Sequence, residues 1–107
     1  MAAMTTRQHN IDLPLEQIEA FCRRHPIRKL SLFGSVLRED FTDGSDVDFL
    51  VEFLPNRTPG LFRFIGMQDE LGNMIGRKAD LRTIANFPER LQTHILQTME
   101  PLYVYER

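Results

Sequence analysis

The sequence predicts a small single-domain α/β fold: a three-stranded mixed sheet with helices on its faces, in the order α-β-β-α-β-α. Three observations carry this. The chain has 107 residues, the length of one domain. Thirty-two of them are Leu, Ile, Val or Phe, well above the roughly 20% below which chains stay disordered. The spacing of apolar residues also alternates along the chain between the helical period and the strand period.

Residues 1–11 are polar and read as a lead-in that frays; the domain is expected over 12–107. Asp12 or Leu13 opens the first helix, with Pro14 in its first turn, where a missing N–H costs nothing. Leu15, Ile18, Phe21 and Cys22 form its apolar stripe, and Pro26 stops it. Residues 28–33 alternate as a strand, followed at once by Gly34-Ser35, then a short helical turn and loop through residue 45. Residues 46–53 form the clearest strand, with Val47, Phe49, Val51 and Phe53 on one face and Asp46, Asp48, Leu50 and Glu52 on the other. After a Pro/Gly loop, Leu61 to Ile75 reads helical, although Gly66 and Gly72 each cost about 1 kcal/mol relative to Ala unless the helix packs closely. Gly76 is a natural helix end. Arg77 to Ile84 is a third strand. Asn86, with Glu89 three residues on, caps a last helix whose stripe runs Phe87, Leu91, Ile95, Met99 and Leu102.

Composition excludes several classes. No apolar run approaches the roughly 20 residues of a membrane span, and the start lacks the charged and apolar regions of a signal peptide. The lone Cys22 has no partner for an internal disulfide or a thiolate metal site, which fits a reducing compartment. Thirteen basic residues against fifteen acidic give a net charge of −2, so no global grip on nucleic acid is expected. The three histidines show no metal-ligand spacing.

One constellation carries chemistry. Asp46 and Asp48 leave the same face of a strand, with Cα atoms about 7 Å apart. Two such carboxylates repel unless a cation sits between them, and oxygen-only ligands suit Mg²⁺ or Mn²⁺. A bare Asp-x-Asp is most often a solubilising strand face; here its context changes the odds. Gly34 closes the preceding strand, where a missing side chain lets a phosphate approach backbone N–H groups, and Ser35 adds a hydroxyl. Arg38 could reach phosphate oxygens bidentately or simply be solvated. Arg77 and Lys78 fit best as countercharges to the acids. Glu52 lies too far down the strand to join them. His25, His94, Cys22, Tyr103 and Tyr105 fit helix ends, packing or an interface.

The stretch Leu32-Phe33-Gly34-Ser35-Val36-Leu37-Arg38, followed by Ser45-Asp46-Val47-Asp48-Phe49-Leu50-Val51-Glu52-Phe53, reads Gly-Ser, ten residues, Asp-x-Asp. It resembles the motif of the minimal nucleotidyltransferases, small members of the polymerase-beta-like superfamily. Gly76-Arg77-Lys78-Ala79-Asp80-Leu81 resembles their third-strand motif, where the family often has Val in place of Ala79. The resemblance spans residues 12–105. It implies a small polymerase-beta-like nucleotidyltransferase domain with Asp80 as a third metal-site carboxylate. Alternation allows Asp80 to face with Asp46 and Asp48; without the motif, a salt bridge to Arg77 or Lys78 would be the better reading. The resemblance further implies two Mg²⁺ ions held by Asp46, Asp48 and Asp80. Gly34, Ser35, Arg38 and Ser45 would bind ATP.

By the same resemblance the chain is a cytoplasmic bacterial or archaeal antitoxin. It would transfer AMP to a tyrosine of a helical HEPN ribonuclease toxin and could form a hetero-oligomer with it, with no nucleic-acid or membrane partner. Two rivals are an antitoxin that neutralises by contact alone and a small-molecule nucleotidyltransferase. The intact Gly-Ser and three Asp argue against the first. The second usually carries a further helical domain for the acceptor.

Overall fold

The computed structural model describes residues 6–8, 11–38, 41–42 and 44–105. Thr6–Gln8 (β1) and Ile11–Leu13 (β2) pair antiparallel, with Thr6 opposite Leu13 and Gln8 opposite Ile11. Strand pairing thus occupies part of the expected lead-in, whose residues 1–5, 9 and 10 lie outside the described residues. The first helix, Leu15–Arg24 (α1), starts later than expected. Pro14 is the reason: a proline pushes the residue before it into extended backbone, so Leu13 completes a strand instead of opening a helix. Ile11 and Leu13 are buried, and Asp12 between them is exposed.

Ile27–Phe33 (β3), Val47–Phe53 (β4), Ala79–Arg82 (β5) and Glu100–Val104 (β6) form one sheet in the order β5-β4-β3-β6. β3 pairs antiparallel with β4 and β6, and β5 runs parallel to β4. The sheet is mixed, as expected, but has four strands and not three. The addition is β6. The last helix, Glu89–Thr98 (α3), ends before Leu102, the final residue of its expected stripe. Pro101 cannot continue a helix and biases Glu100 to extended backbone. An edge strand tolerates it, because one side of that strand needs no ladder donors.

The third strand is shorter than Arg77 to Ile84. After Arg82 the chain turns through a 3-10 turn over Ile84–Asn86, where the Thr83 N–H donates to Asn86 Oδ1 at 3.0 Å. Asn86 therefore caps this turn and not α3, which starts after Pro88.

Leu61–Ile75 (α2) has the expected bounds and ends at Gly76, whose φ of 72° is the left-handed conformation glycine adopts freely. Gly72 has a packing reason: a Cβ there would lie 3.1 Å from the Arg77 carbonyl oxygen and 3.6 Å from the Ala79 nitrogen. Gly66 has none, since a Cβ would meet nothing within 4 Å.

The two faces of the sheet are unequally covered. Leu30, Leu32, Val47, Phe49, Val51, Ala79 and Leu81 pack beneath Ile18, Phe21 and Cys22 of α1 and Met67 and Leu71 of α2, forming the main core. The opposite face carries a small cluster, Phe33 and Leu50 under Ile95 of α3, flanked by Ile84, Phe87 and Met99. Among the described residues, no helix is long and apolar enough to cross a membrane.

Gly66→Ala is expected to stabilise the domain by about 0.5–1 kcal/mol, because it removes unfolded-chain entropy without filling occupied space. A rise in thermal midpoint checks this; a fall would show that the position is constrained.

Candidate active site

Antiparallel pairing of β3 and β4 sets Phe33 opposite Asp48, so the end of one strand lies beside the start of the other. Gly34 leaves the sheet at φ 78°, and Gly34–Leu37 makes one 3-10 turn anchored by buried Val36. A Cβ on Gly34 would sit 2.5 Å from Asp48 Oδ2. The bare backbone is therefore what lets this carboxylate occupy its place. The Ser35 backbone N–H donates to the Asp48 carboxylate, and the Ser35 hydroxyl donates to the Asp46 carbonyl at 3.3 Å.

Parallel pairing of β4 and β5 puts Asp80 in register with Asp48, on neighbouring strands about 4.8 Å apart. The ladder extends one step towards Asp46, since the Val47 N–H donates to the Lys78 carbonyl at 3.0 Å. β5 is an edge strand, and its Leu81 N–H is taken up by Gln68 Oε1 of α2 at 2.8 Å. This hydrogen bond holds the strand that carries Asp80.

Asp48 is half-buried, and its carboxyl is pushed above the ordinary carboxylate range. Burial is the main cause, followed by repulsion from Asp80; Asp46 adds to it, while the Ser35 N–H and Arg82 oppose it. The other two acids have found cations. Arg82 Nε donates to Asp80 Oδ2 at 3.2 Å, and Lys78 Nζ lies 3.9 Å from Asp46 Oδ2. Among the described residues, no three carboxylate, imidazole or thiolate groups are gathered into a ready-made cage for an ion; two of the three acids face Lys78 and Arg82.

The donor set nevertheless fits a hard divalent cation. It offers only carboxylate oxygens, one of them at a site short of positive charge and facing a position with no side chain. A cation would have to displace Lys78 and Arg82, both exposed.

The remaining expected site residues separate. Ser45 builds the loop: its Oγ accepts the Thr42 N–H at 3.0 Å and lies 3.2 Å from Thr42 Oγ1. Arg38 is exposed at the end of the 3-10 turn and lines a cavity of about 410 Å³ with Phe33, Gly34, Phe87 and His94. Arg77 stacks 4.7 Å from the Phe41 ring centroid and donates to the Thr42 carbonyl, while Lys78 is a countercharge to Asp46. Glu52 pairs with Arg28 at 2.9 Å, well away from the acids. The buried Cys22 thiol is pushed up to about 12 and is inert.

Sequence reasoning missed Arg82 and Gln68. Arg82 carried a usable signal, because two residues beyond Asp80 on a strand is the same face. Gln68 carried none, since a glutamine within a helical pattern says nothing of the strand it will reach.

A raised carboxyl pKa stabilises the fold below the ordinary carboxylate range and withdraws that stability as pH climbs through the raised value. Asp48→Asn is therefore expected to melt above wild type at pH 7, with the gap closing in acid; melting curves from pH 3 to 8 check it, and a lower midpoint at pH 7 would contradict it. Gly34→Ala is expected to cost about 1–2 kcal/mol for the left-handed conformation. The Asp48 carboxylate, being the end of a side chain, swings aside, which the carbon-13 titration of that carboxyl would report.

Three kinds of likeness bear on this geometry. A family model described as nucleotidyltransferase domain matches residues 15–102. The protein adenylyltransferase MntA of Thermococcus cleftensis is 34% identical over 77 residues, covering 64% of this chain and 76% of that protein. A Methanocaldococcus jannaschii protein with the provisional name protein adenylyltransferase MJ0128 is 36% identical over 58 residues; the match covers 54% of this chain and only 57% of that protein's length. A solved structure provisionally described as a minimal nucleotidyltransferase superposes with a TM-score of 0.65 at 28% identity, over 84% of this chain and 88% of the other. A toxin–antitoxin crystal structure with AMP-PNP shares the fold at a TM-score of 0.70 and 18% identity, over 88% and 76%. The family match runs from the start of α1 into β6 and so takes in every strand that carries an acid of the site; the chain belongs to the nucleotidyltransferase domain family.

Proposed function

We propose that this domain transfers AMP from ATP to a tyrosine hydroxyl of a HEPN-family ribonuclease toxin, in the presence of Mg²⁺, and so acts as its antitoxin. The observation that carries the chemistry is Asp48. It is half-buried, in register with Asp80 and pressed against the side-chain-free Gly34. Nothing in a folded core gains from that arrangement, whereas a cation site does. Support for the partner comes from the relatives: the MntA–HepT toxin–antitoxin crystal structure shares the fold at a TM-score of 0.62, and MntA of Thermococcus cleftensis is named a protein adenylyltransferase.

Asp46 and Asp48 would hold two Mg²⁺ ions, and Asp80 one of them. Ions bound there neutralise phosphate charge and make a hydroxyl easier to deprotonate. The residues of the chain do the rest. Gly34, having no side chain, would leave room for phosphate oxygens against backbone N–H groups if Asp48 turned to hold an ion, and the Ser35 N–H that Asp48 takes up here would then be free to donate to them. The tyrosine oxygen forms a bond to the α-phosphorus as the bond from that phosphorus to the pyrophosphate oxygen breaks. The tyrosine proton passes to Asp80 or to water. Lys78 and Arg82, which pair with Asp46 and Asp80 here, would then be free to offer positive charge to the phosphates. Positioning and charge stabilisation supply most of the rate.

The test is Asp46→Asn with Asp48→Asn. The change keeps size and strand geometry and removes two negative charges. With labelled ATP and the co-expressed toxin, transfer is expected to fall by about a hundredfold or more, and rescue of growth to be lost, while the melt is retained or improved. A double variant that rescues at native expression as well as wild type would overturn the catalytic reading in favour of neutralisation by contact.

A further inference from the structure

The end of the sheet away from the acids carries a second concentration of charge. A concavity of about 190 Å³ opens between the end of α1, the loop after β4, α2 and β6, and its walls include Arg23, Arg24, Arg57, Arg63, Tyr103 and Tyr105. Two of these arginines have an ordinary explanation. Arg23 and Arg24 lie in the last turn of α1, where cations offset the helix dipole, and each pairs with a glutamate, Arg23 with Glu19 at 2.6 Å and Arg24 with Glu70.

Arg57 and Arg63 do not share it. They come from other elements, and neither has a carboxylate partner among the described residues. Arg63 is held by neutral acceptors: its Nε donates to His25 Nδ1 at 3.3 Å and its Nη2 to the Arg24 carbonyl at 3.4 Å. His25 Nδ1 thus accepts, so Nε2 carries the proton and donates to Glu70 Oε1 at 3.1 Å. The imidazole is neutral in this arrangement and leaves the charge of Arg63 uncancelled. With the two glutamates spent on Arg23 and Arg24, the concavity keeps two positive charges in a chain whose net charge is −2.

We propose that this concavity is an anion site that takes one phosphoryl group, free or at the end of a phosphate monoester, between Arg57 and Arg63. Guanidinium forks match phosphate oxygens, and Tyr103 and Tyr105 place hydroxyl-bearing side chains in the same wall. Size selects the ligand. The volume equals the share of about six water molecules, enough for a phosphoryl group and the start of its ester but below the 300 Å³ or more typical of pockets that enclose a whole small molecule. The site uses none of the carboxylates of β4 and β5, so it stands or falls apart from adenylyl transfer.

The imidazole of His25 reports occupancy, because Arg63 touches it and an anion beside Arg63 changes its field. The experiment follows its NMR resonances without Mg²⁺, titrating inorganic phosphate and AMP separately at ionic strength held constant with chloride, with a chloride titration as the control. The expected result is a saturable shift and a rise in the His25 titration midpoint, absent with chloride alone. Arg57→Gln, which leaves the Arg63–His25 contact in place, is expected to weaken binding about tenfold or more, as the loss of a charge-assisted hydrogen bond does, with an unchanged melt and unchanged AMP transfer. Saturation by phosphate alone assigns the site to the free ion; saturation by both assigns it to monoesters. An equal response to chloride, no saturation by either, or an Arg57→Gln variant that binds as wild type overturns the proposal.

Discussion

Phe33 faces Asp48 across the antiparallel pair, and that single register brings an unusual backbone beside an unusual carboxylate. Gly34 follows Phe33 directly, so its left-handed turn is fixed at the level of the acid. A strand register cannot slip by one residue without turning every side chain to the other face. A slip in β4 would carry Asp48 to where Phe49 lies, among Leu32 and Val36, and Phe49 to the acid face. The apolar alternation that builds the main core and the placement of the carboxylate are thus one constraint. The site inherits its accuracy from the packing of Val47, Phe49 and Val51.

That coupling explains how much was legible in the sequence. β4 could be read because its two faces are chemically distinct, and with it the side from which Asp46 and Asp48 project. α2 could be read because its stripe is long and Gly76 ends it. The resemblance supplied Asp80, and the parallel pairing of β4 with β5 gives it a physical basis. The elements that were missed lack such signals. β1, β2 and β6 have three, three and five residues, too few for a period to declare itself. The two prolines that decide their fate, Pro14 and Pro101, each fit a helical reading until the extended residue before them is taken into account. Ser45 was grouped with the site by its position before Asp46, but its hydroxyl is turned back to Thr42, a choice made by loop geometry that no spacing rule contains.

The near-neutral composition hides an uneven distribution. Negative charge gathers where β4 and β5 begin, and positive charge without a carboxylate partner among the described residues gathers beyond the far end of β4. Arg82 and Lys78 soften the first, at a cost in readiness, since any cation arriving there must displace them. Among the described residues, no carboxylate pairs with Arg57 or Arg63 at the second. A net charge near zero excludes a uniform field around the molecule; it places no bound on local fields at its two ends.

β3 lies inside the sheet only because β6 covers its second edge. Residues 27–33 are synthesised early and residues 100–104 some seventy positions later. Until the last strand has left the ribosome, β3 presents a row of unpaired N–H and C=O groups and a largely apolar sequence, the condition in which edges recruit foreign strands. The long separation also makes this pairing slow to close. The sheet is therefore complete only once β6 has been made and has paired with β3. The interval between synthesis of β3 and arrival of β6 is the period of greatest exposure to aggregation and proteolysis.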